Sequence, residues 1–563
     1  MNNRKKKLPI GIDDFEKLRE DDFYYVDKTG MILELISNWS EVTLFTRPRR
    51  FGKSLNMSML KCFFSMEGNK DIFHDLKIAE NEEICREHMG KYPVIFLSLK
   101  GLDVSATYEN ARENIILLMN DTAGKYQFLL ENGNLTEYDK ETYKKLLQEE
   151  MSDAFLFSSL RKLSELLRKA FQKKVIILID EYDVPLSKAF DFGYYDQMTN
   201  LIRGLLGQAL KTNESLQFAV MTGCMRIAKE SIFTGLNNLK IRSVTDVRFD
   251  EYFGFTDNEV KEMLKYYDCE DHYLTAKEWY DGYRFGNMDV YCPWDVLNYC
   301  DALLDDPKAF PQNYWINTSG NDAVKRFIRH SENYTTKREI EKLIAGEAIQ
   351  KEIHQELTYK EMYKDIEHIW SVLFTTGYLT QRGEAMNNIF CLAIPNMEIR
   401  NIFTTQIMEY FREKVSKDGT LLNEFCDALK NGNVERVQQC LIEYLKKTIS
   451  IRDTFVRKKL KENFYHGIVL GILGVKEGWT VSSNKETGDG YSDIVIETED
   501  GETGIIIEIK YAHDGNLDQA CQDALEQIEN TNYIQELQKE GIQQISRYAM
   551  AFYLKQCKVV KEK

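Results

Sequence analysis

Gly52, Lys53 and Ser54, inside TRPRRFGKSL at positions 46 to 55, have the residue types and order of the second half of a phosphate-binding loop, G-x-x-x-x-G-K-[ST]. In such a loop, backbone N–H groups and the positive end of a helix dipole surround the anion. The lysine adds a point charge on the outer phosphates and the hydroxyl ligates Mg²⁺. Arg47 stands where the leading glycine belongs, followed by Pro48, so the entry to the loop is altered while Arg50, Phe51, Gly52, Lys53 and Ser54 remain as a phosphate cradle. Asp180 and Glu181 close the apolar run VIILIDE. Asp180 is a candidate for the Mg²⁺ shell beside Ser54, and Glu181 for polarising an attacking water; the bland alternative is that both cap the turn before Pro185. Thr222 is a candidate sensor of the γ-phosphate and Arg226 a candidate charge-stabilising arginine, although a polar residue ending a strand is usually only solvated.

A second set lies near the C-terminal end, in GYSDIVIETEDGETGIIIEIKYA at 490 to 512. Asp493 sits on one apolar run, a polar turn follows, and Glu508 and Lys510 sit on the next. Strand side chains alternate with period two, so Glu508 and Lys510 share a face, and hairpin pairing brings Asp493 beside Glu508. Two carboxylates on adjacent strands hold Mg²⁺ or Mn²⁺ through hard oxygen ligands, and a lysine beside them orients or helps deprotonate a water for attack on a phosphodiester. A surface hairpin with a weak Glu–Lys ion pair is the duller reading, and it leaves the two charges inside an Ile-rich strand unexplained. Glu462 is a candidate further metal ligand, His466 reads as a packed core histidine, and Gln527 on a downstream helix, with Ala520, Ala524, Ile528 and Tyr533 on its apolar face, can reach the site. Glu486 and Asp489 precede the hairpin as candidates for metal or DNA contact.

The periodicity around these residues predicts the elements that carry them. A strand over 42–46, the loop, and a helix with Leu55, Met59, Leu60 and Phe63 at helical spacing follow one another. Further strands are expected over 92–99, 175–179 and 216–223, making four parallel strands in the first 240 residues. A helix with Leu160, Leu163, Leu167 and Phe171 on one face leads into the third of them. The expected fold is α/β and multidomain, with a P-loop parallel-sheet domain over 1–245 and an aromatic-rich extension over 246–330. A mostly helical region over 331–450 and an α/β domain over 451–563 complete it.

A chain of 563 residues exceeds one core, and at roughly 150 residues per domain it suggests about three or four units. Its hydrophobic share of 43% and charged share of 29% describe a packed globular chain. No apolar run approaches the ~18 residues of a membrane span. The basic start MNNRKKKLPIG lacks the apolar core of a secretory signal. Eleven cysteines without a C-x-x-C pair argue against a disulfide framework and a structural zinc site, and predict a reduced, cytoplasmic protein. A formal charge of −16 leaves nucleic acid only a local basic patch or a metal ion to bind.

The segments LPIGIDDFEKL, YYVDKTGMI, TRPRRFGKSL, ILIDEYDVPL, TGCMRIAKESIFTGLNNL, WYDGYRFG and VYCPWDVLNY together resemble the bacterial AAA-ATPase-like family over about residues 8 to 300. That family's loop is similar to RPRRFGKS, so the absent glycine looks like a family trait, and the resemblance implies an ASCE-type P-loop fold that binds ATP. NFYHGIVLGIL, SNKETGDGYSDIVI, IIIEIK and ALEQIENTNY resemble the PD-(D/E)xK nuclease superfamily over about 455 to 560, with Ser492 rather than proline before Asp493. The resemblance implies a restriction-endonuclease-like domain cutting nucleic acid, DNA more than RNA. The expected function is ATP-controlled, Mg²⁺-dependent phosphodiester cleavage by a protein that meets no membrane; a homo-oligomer is left open. The alternative is a nucleotide-dependent switch or defence-type sensor in which ATP binding gates recognition of a partner.

Overall fold

The computed structural model describes residues 5–226, 238–315, 322–330, 334–362, 364–417, 419–447, 458–486, 490–499, 501–529, 538, 542–554 and 556–562. The chain forms two compact units, one of residues 1–320 with 351–398, the other of residues 321–350 with 399–563.

The first unit is built on a five-stranded parallel sheet of β1 (Val42–Thr46), β2 (Val94–Ser98), β3 (Val175–Asp180), β4 (Leu216–Gly223) and β5 (Leu239–Arg242). Its order is β2-β3-β4-β1-β5, so β4 separates the strand that feeds the phosphate loop from the strand that ends in Asp180. β1 and β3 are buried along their whole length, as befits mostly apolar central parallel strands. The fifth strand, LKIR, is short and only half buried, and so lacks the apolar run that marks the other four. Helix Asp153–Phe171 starts at Ser152, whose hydroxyl accepts from the Phe155 N–H, and buries Leu160, Leu163 and Leu167.

The aromatic-rich stretch makes a small antiparallel sheet of β6 (Phe255–Thr256), β7 (Tyr283–Phe285) and β8 (Met288–Tyr291), beside a core cluster that includes Tyr267, Tyr280, Tyr291 and Tyr299. β9 (Ile349–Glu352), β10 (Thr380–Gln381) and β11 (Ile389–Ala393) form a further three-stranded sheet.

The second unit carries a mixed sheet of β12 (Thr480–Glu486), β13 (Gly490–Glu497), β14 (Thr503–Tyr511), β15 (Gln544–Tyr553) and β16 (Gln556–Lys561), in chain order. β14 runs antiparallel to β13 and parallel to β15. Helix Lys458–Leu473 packs against one face, where Tyr465 stacks on Phe552 at 4.6 Å, and helix Leu517–Glu529 against the other. Helices Gly419–Lys430 and Val434–Lys447 also serve this sheet. The Leu429 carbonyl accepts from the Tyr548 hydroxyl at 2.6 Å, and Gln438 Oε1 accepts from the Val559 N–H at 3.1 Å. Among the described residues no helix is long and apolar enough to cross a membrane.

Candidate functional site

The turn from β1 into helix Lys53–Phe64 rests on a left-handed residue. Gly52 has φ +81°, a conformation that costs glycine nothing and other residues about 1–2 kcal/mol, and Lys53 then opens the helix. Arg47 lies on the other side of this turn. It is fully buried, its guanidinium donates to the carbonyls of Thr46 at 2.9 Å and Arg242 at 2.8 Å, and it packs over the rings of Phe253 and Phe285. The residue in the place of the leading glycine thus ties the loop to β5 and the aromatic extension. Phe51, also fully buried, packs edge-on to Tyr283 at 4.9 Å.

The reacting end of the loop meets the tips of β3 and β4. Ser54 Oγ donates to Asp180 Oδ2 at 2.7 Å, and the Thr222 hydroxyl donates to Asp180 Oδ1. Thr222 Oγ1 in turn accepts from the Glu181 N–H at 3.3 Å. Lys53 Nζ, nearly buried, donates to the carbonyls of Arg47 at 3.1 Å and Pro48 at 2.8 Å. Glu181 holds a left-handed backbone with φ +55°, a strained position for a glutamate that sets it apart from Asp180. Burial pushes its carboxyl above the ordinary value, against the pull of Lys53. A serine hydroxyl and an aspartate carboxylate 2.7 Å apart are the oxygen donors that Mg²⁺ takes in such loops.

Lys53, Ser54 and Glu181 line a cavity of about 450 Å³, within the size range of small-molecule sites, and Asp180 and Thr222 are outside its lining. Gly52, Lys53, Ser54 and Glu181 occupy it together with Tyr24, Tyr25 and Lys28 from the N-terminal segment and Trp294 from the aromatic extension. Arg50 lines it with its guanidinium 4.2 Å over the Trp294 ring. These wall residues fall in YYVDKTG and CPWD; the place of Trp294 beside the loop was not visible in the sequence, because it and Arg50 are more than 200 positions apart. Arg226 is elsewhere: it lies outside the cavity lining and forms an ion pair with Glu356.

In the second unit, pairing of β13 with β14 sets Asp493 directly opposite Glu508. The side chains of Asp493 and Glu486 lie outside the described residues, as do Asp489 and Tyr533 entirely. Glu508 is fully buried, and neither of its oxygens makes a hydrogen bond among the described residues; Lys510 Nζ lies 2.9 Å from Oε1 as an ion-pair partner. The same ammonium donates to Gln527 Oε1, which helix Leu517–Glu529 presents from the face that Glu508 and Lys510 share. Glu462 comes from the helix on the other face and accepts from the Tyr511 N–H at 3.4 Å. His466, buried, meets the Ser483 hydroxyl at 3.3 Å. The Lys510 ammonium offsets the charge of this buried carboxylate, while Glu508 Oε2 has no hydrogen bond among the described residues and is a hard oxygen of the kind a divalent ion takes.

The folds and sites define a chain with two domains, a P-loop domain of parallel-sheet type and a mixed-sheet domain of nuclease type. Residues 9–233 match the family model described as predicted AAA-ATPase, and residues 460–562 match that of the PD-(D/E)XK nuclease superfamily. A relative from Azotobacter chroococcum mcd 1, described as an uncharacterized protein in the vnfD 5' region, is 30% identical over 426 residues, 73% of this chain and 72% of that protein. The chain belongs to this family of AAA-ATPase-like proteins carrying a C-terminal PD-(D/E)XK nuclease domain.

Proposed function

We propose that this protein cleaves nucleic-acid phosphodiester bonds with its C-terminal domain under the control of ATP bound and hydrolysed in its N-terminal domain. The observation that carries the reading is Glu508: a fully buried carboxylate, without hydrogen bonds among the described residues, beside the ammonium of Lys510 and with Asp493 opposite it in the strand register. Mg²⁺ or Mn²⁺ would be held by Asp493 and Glu508, with Glu462 as a proposed further ligand, and would supply Lewis acidity toward a phosphate oxygen when bound. Lys510, fixed by Gln527, orients the attacking water. In the N-terminal domain Lys53 meets the outer phosphates, Ser54 and Asp180 form the Mg²⁺ shell, Thr222 reports on the terminal phosphate, and Glu181 polarises water. Arg50 and Phe51 shape the loop, Arg50 from the cavity side. DNA is the favoured substrate on the superfamily's general habit. The eleven free cysteines suit a reducing, cytoplasmic setting.

The test incubates the full-length protein with linear, circular and single-stranded DNA and with RNA, with and without Mg²⁺ and ATP. Metal-dependent cleavage that vanishes in Lys510→Ala and changes with ATP supports the reading. Cleavage that Lys510→Ala leaves unchanged sinks it.

A further inference from the structure

Asp183 is a charged group in the nucleotide domain to which the reaction above gives no task. It is buried, two residues beyond Glu181, and its carboxyl is pushed up by burial and drawn back by Lys53. One oxygen, Oδ2, accepts from two successive backbone amides, Cys224 N–H at 2.9 Å and Met225 N–H at 3.1 Å. The other, Oδ1, is buried with no hydrogen bond among the described residues. The neighbouring Tyr182 reaches the same loop, its hydroxyl donating to the Met225 carbonyl at 2.8 Å, and its backbone N–H donates to the Thr222 carbonyl at 3.0 Å. Gly223 fits between them only because it lacks a side chain: a Cβ there would lie 2.5 Å from the Tyr182 ring and 2.8 Å from Asp183 Oδ1.

The loop gripped in this way follows directly on Thr222, which bonds both Asp180 and the Glu181 amide. It also touches the phosphate loop, since Lys53 Nζ lies 3.6 Å from Cys224 Sγ. We propose that Asp183 is a positioning residue for nucleotide hydrolysis: by clamping the Cys224 and Met225 amides it holds Thr222 in register with Asp180 and Glu181. This rests on the hydrolytic reading of the N-terminal domain. Asp183 touches no reacting atom in this scheme. It fixes the geometry of groups that do, and a displacement of about 1 Å in such groups costs up to about a hundredfold in rate.

The bare Oδ1 makes the proposal sharply testable. Because a single oxygen accepts both amides, Asp183→Asn keeps both hydrogen bonds through its carboxamide oxygen, removes the charge and places an NH2 where Oδ1 stands, whereas Asp183→Ala removes the grip. In the full-length protein, steady-state ATP hydrolysis is measured beside equilibrium binding of a fluorescent ATP analogue. The expected result for Asp183→Ala is a kcat lowered by about tenfold or more with analogue affinity within about threefold of wild type, a kcat-selective loss. Asp183→Asn retains most of the rate, and Tyr182→Phe, which removes the second grip without emptying the core, lowers kcat in the same direction as Asp183→Ala.

Wild-type turnover in Asp183→Ala overturns the proposal. So does an equal loss of rate in Asp183→Asn and Asp183→Ala, which would make the charge rather than the clamp the active element. So does a loss of affinity parallel to the loss of rate. Should the wild-type protein bind nucleotide without hydrolysing it, the hydrolytic reading fails and the clamp is judged by hydrogen–deuterium exchange of the segment carrying Cys224 and Met225. Faster exchange in Asp183→Ala but not in Asp183→Asn supports it, and unchanged exchange in both overturns it.

Discussion

The ammonium of Lys53 rests on the carbonyl of Arg47, 3.1 Å away, while the Arg47 side chain is buried against the backbone of Arg242 and the rings of Phe253 and Phe285. The lysine that would meet phosphate is therefore parked on the backbone of the residue that replaces the leading glycine. Restoring the glycine should damage the protein. Arg47→Gly leaves the carbonyls of Thr46 and Arg242 without this donor and opens a cavity, a loss of about 3 kcal/mol or more. The expected outcome is a lowered melting temperature with no gain in ATP affinity, read by thermal denaturation and analogue binding. Lys53→Ala should instead leave the melting temperature within a few degrees and weaken nucleotide by about 2 kcal/mol, roughly thirtyfold in Kd.

Glu181 separates turnover from binding. Glu181→Gln keeps the size of the side chain and removes its basicity, so ATP should bind while hydrolysis falls by about a hundredfold or more. If turnover drives cleavage, nucleotide-stimulated nuclease activity falls with it. Cleavage that persists in Glu181→Gln with ATP present makes binding alone the switch. The hydrolysis rate should also fall on acidification through the raised pKa of Glu181, at higher pH than an ordinary glutamate would give. The sign for stability is opposite to the usual carboxylate case. A folded pKa above the unfolded value favours the folded state at low pH, and that advantage is lost as pH rises through the folded pKa. Glu181→Gln should therefore raise the melting temperature at neutral pH, a gain that shrinks on acidification.

Lys510 and Glu508 provide the parallel test in the nuclease domain. Lys510→Ala removes the ammonium that Gln527 fixes, and cleavage should fall by about a hundredfold or more with ATP hydrolysis unchanged. Glu508→Gln is nearly isosteric but takes away the charge that pairs with Lys510, so the fold should be kept with a lowered melting temperature while its response to Mg²⁺ disappears. Nuclease activity against Mg²⁺ concentration, run beside a thermal melt, reads both effects.

Asp295 and Glu398 set a pH dependence unrelated to either reaction. Both are fully buried, Glu398 Oε1 accepts from the Trp315 N–H at 2.6 Å, and burial together with the charge of Asp295 pushes the Glu398 carboxyl far up. Burial pushes Asp295 up as well. Raised carboxyl pKa values mean that the folded state holds protons the unfolded chain releases, so the pair stabilises below the ordinary carboxylate range and costs stability as pH rises through neutrality. The melting temperature should decline from pH 6 to pH 9, and the decline should flatten in Glu398→Gln. An equally steep decline in the variant would remove the pair as its cause.

What was legible in the sequence was local. Gly52, Lys53 and Ser54 announce a turn into a helix within three positions, and the alternation through IIIEIK with the turn before it sets Glu508 opposite Asp493. What was not legible depends on distant partners. Nothing in TRPRRF says that Arg47 turns toward Arg242 and Phe249, and nothing in TGCMR says that Arg226 meets Glu356, 130 positions away. The stretch over 331–450, mostly helical and charged in sequence and interrupted by the apolar VLFTTGYL and CLAIPN, does not show that it is divided between the two units. Residues 351–398 group with the first unit, and the helices over 419–447 pack on the second unit's sheet through Tyr548 and Val559.

The walls of the 450 Å³ cavity include the first thirty residues, the phosphate loop and the stretch around Trp294. An occupant touching all three ties together stretches far apart in the chain, and mass action then converts its concentration into resistance to unfolding: about 2.7 kcal/mol at a hundredfold excess over Kd. The cell's nucleotide level would thus set how long this unit survives heat or proteolysis, independently of any cutting it directs.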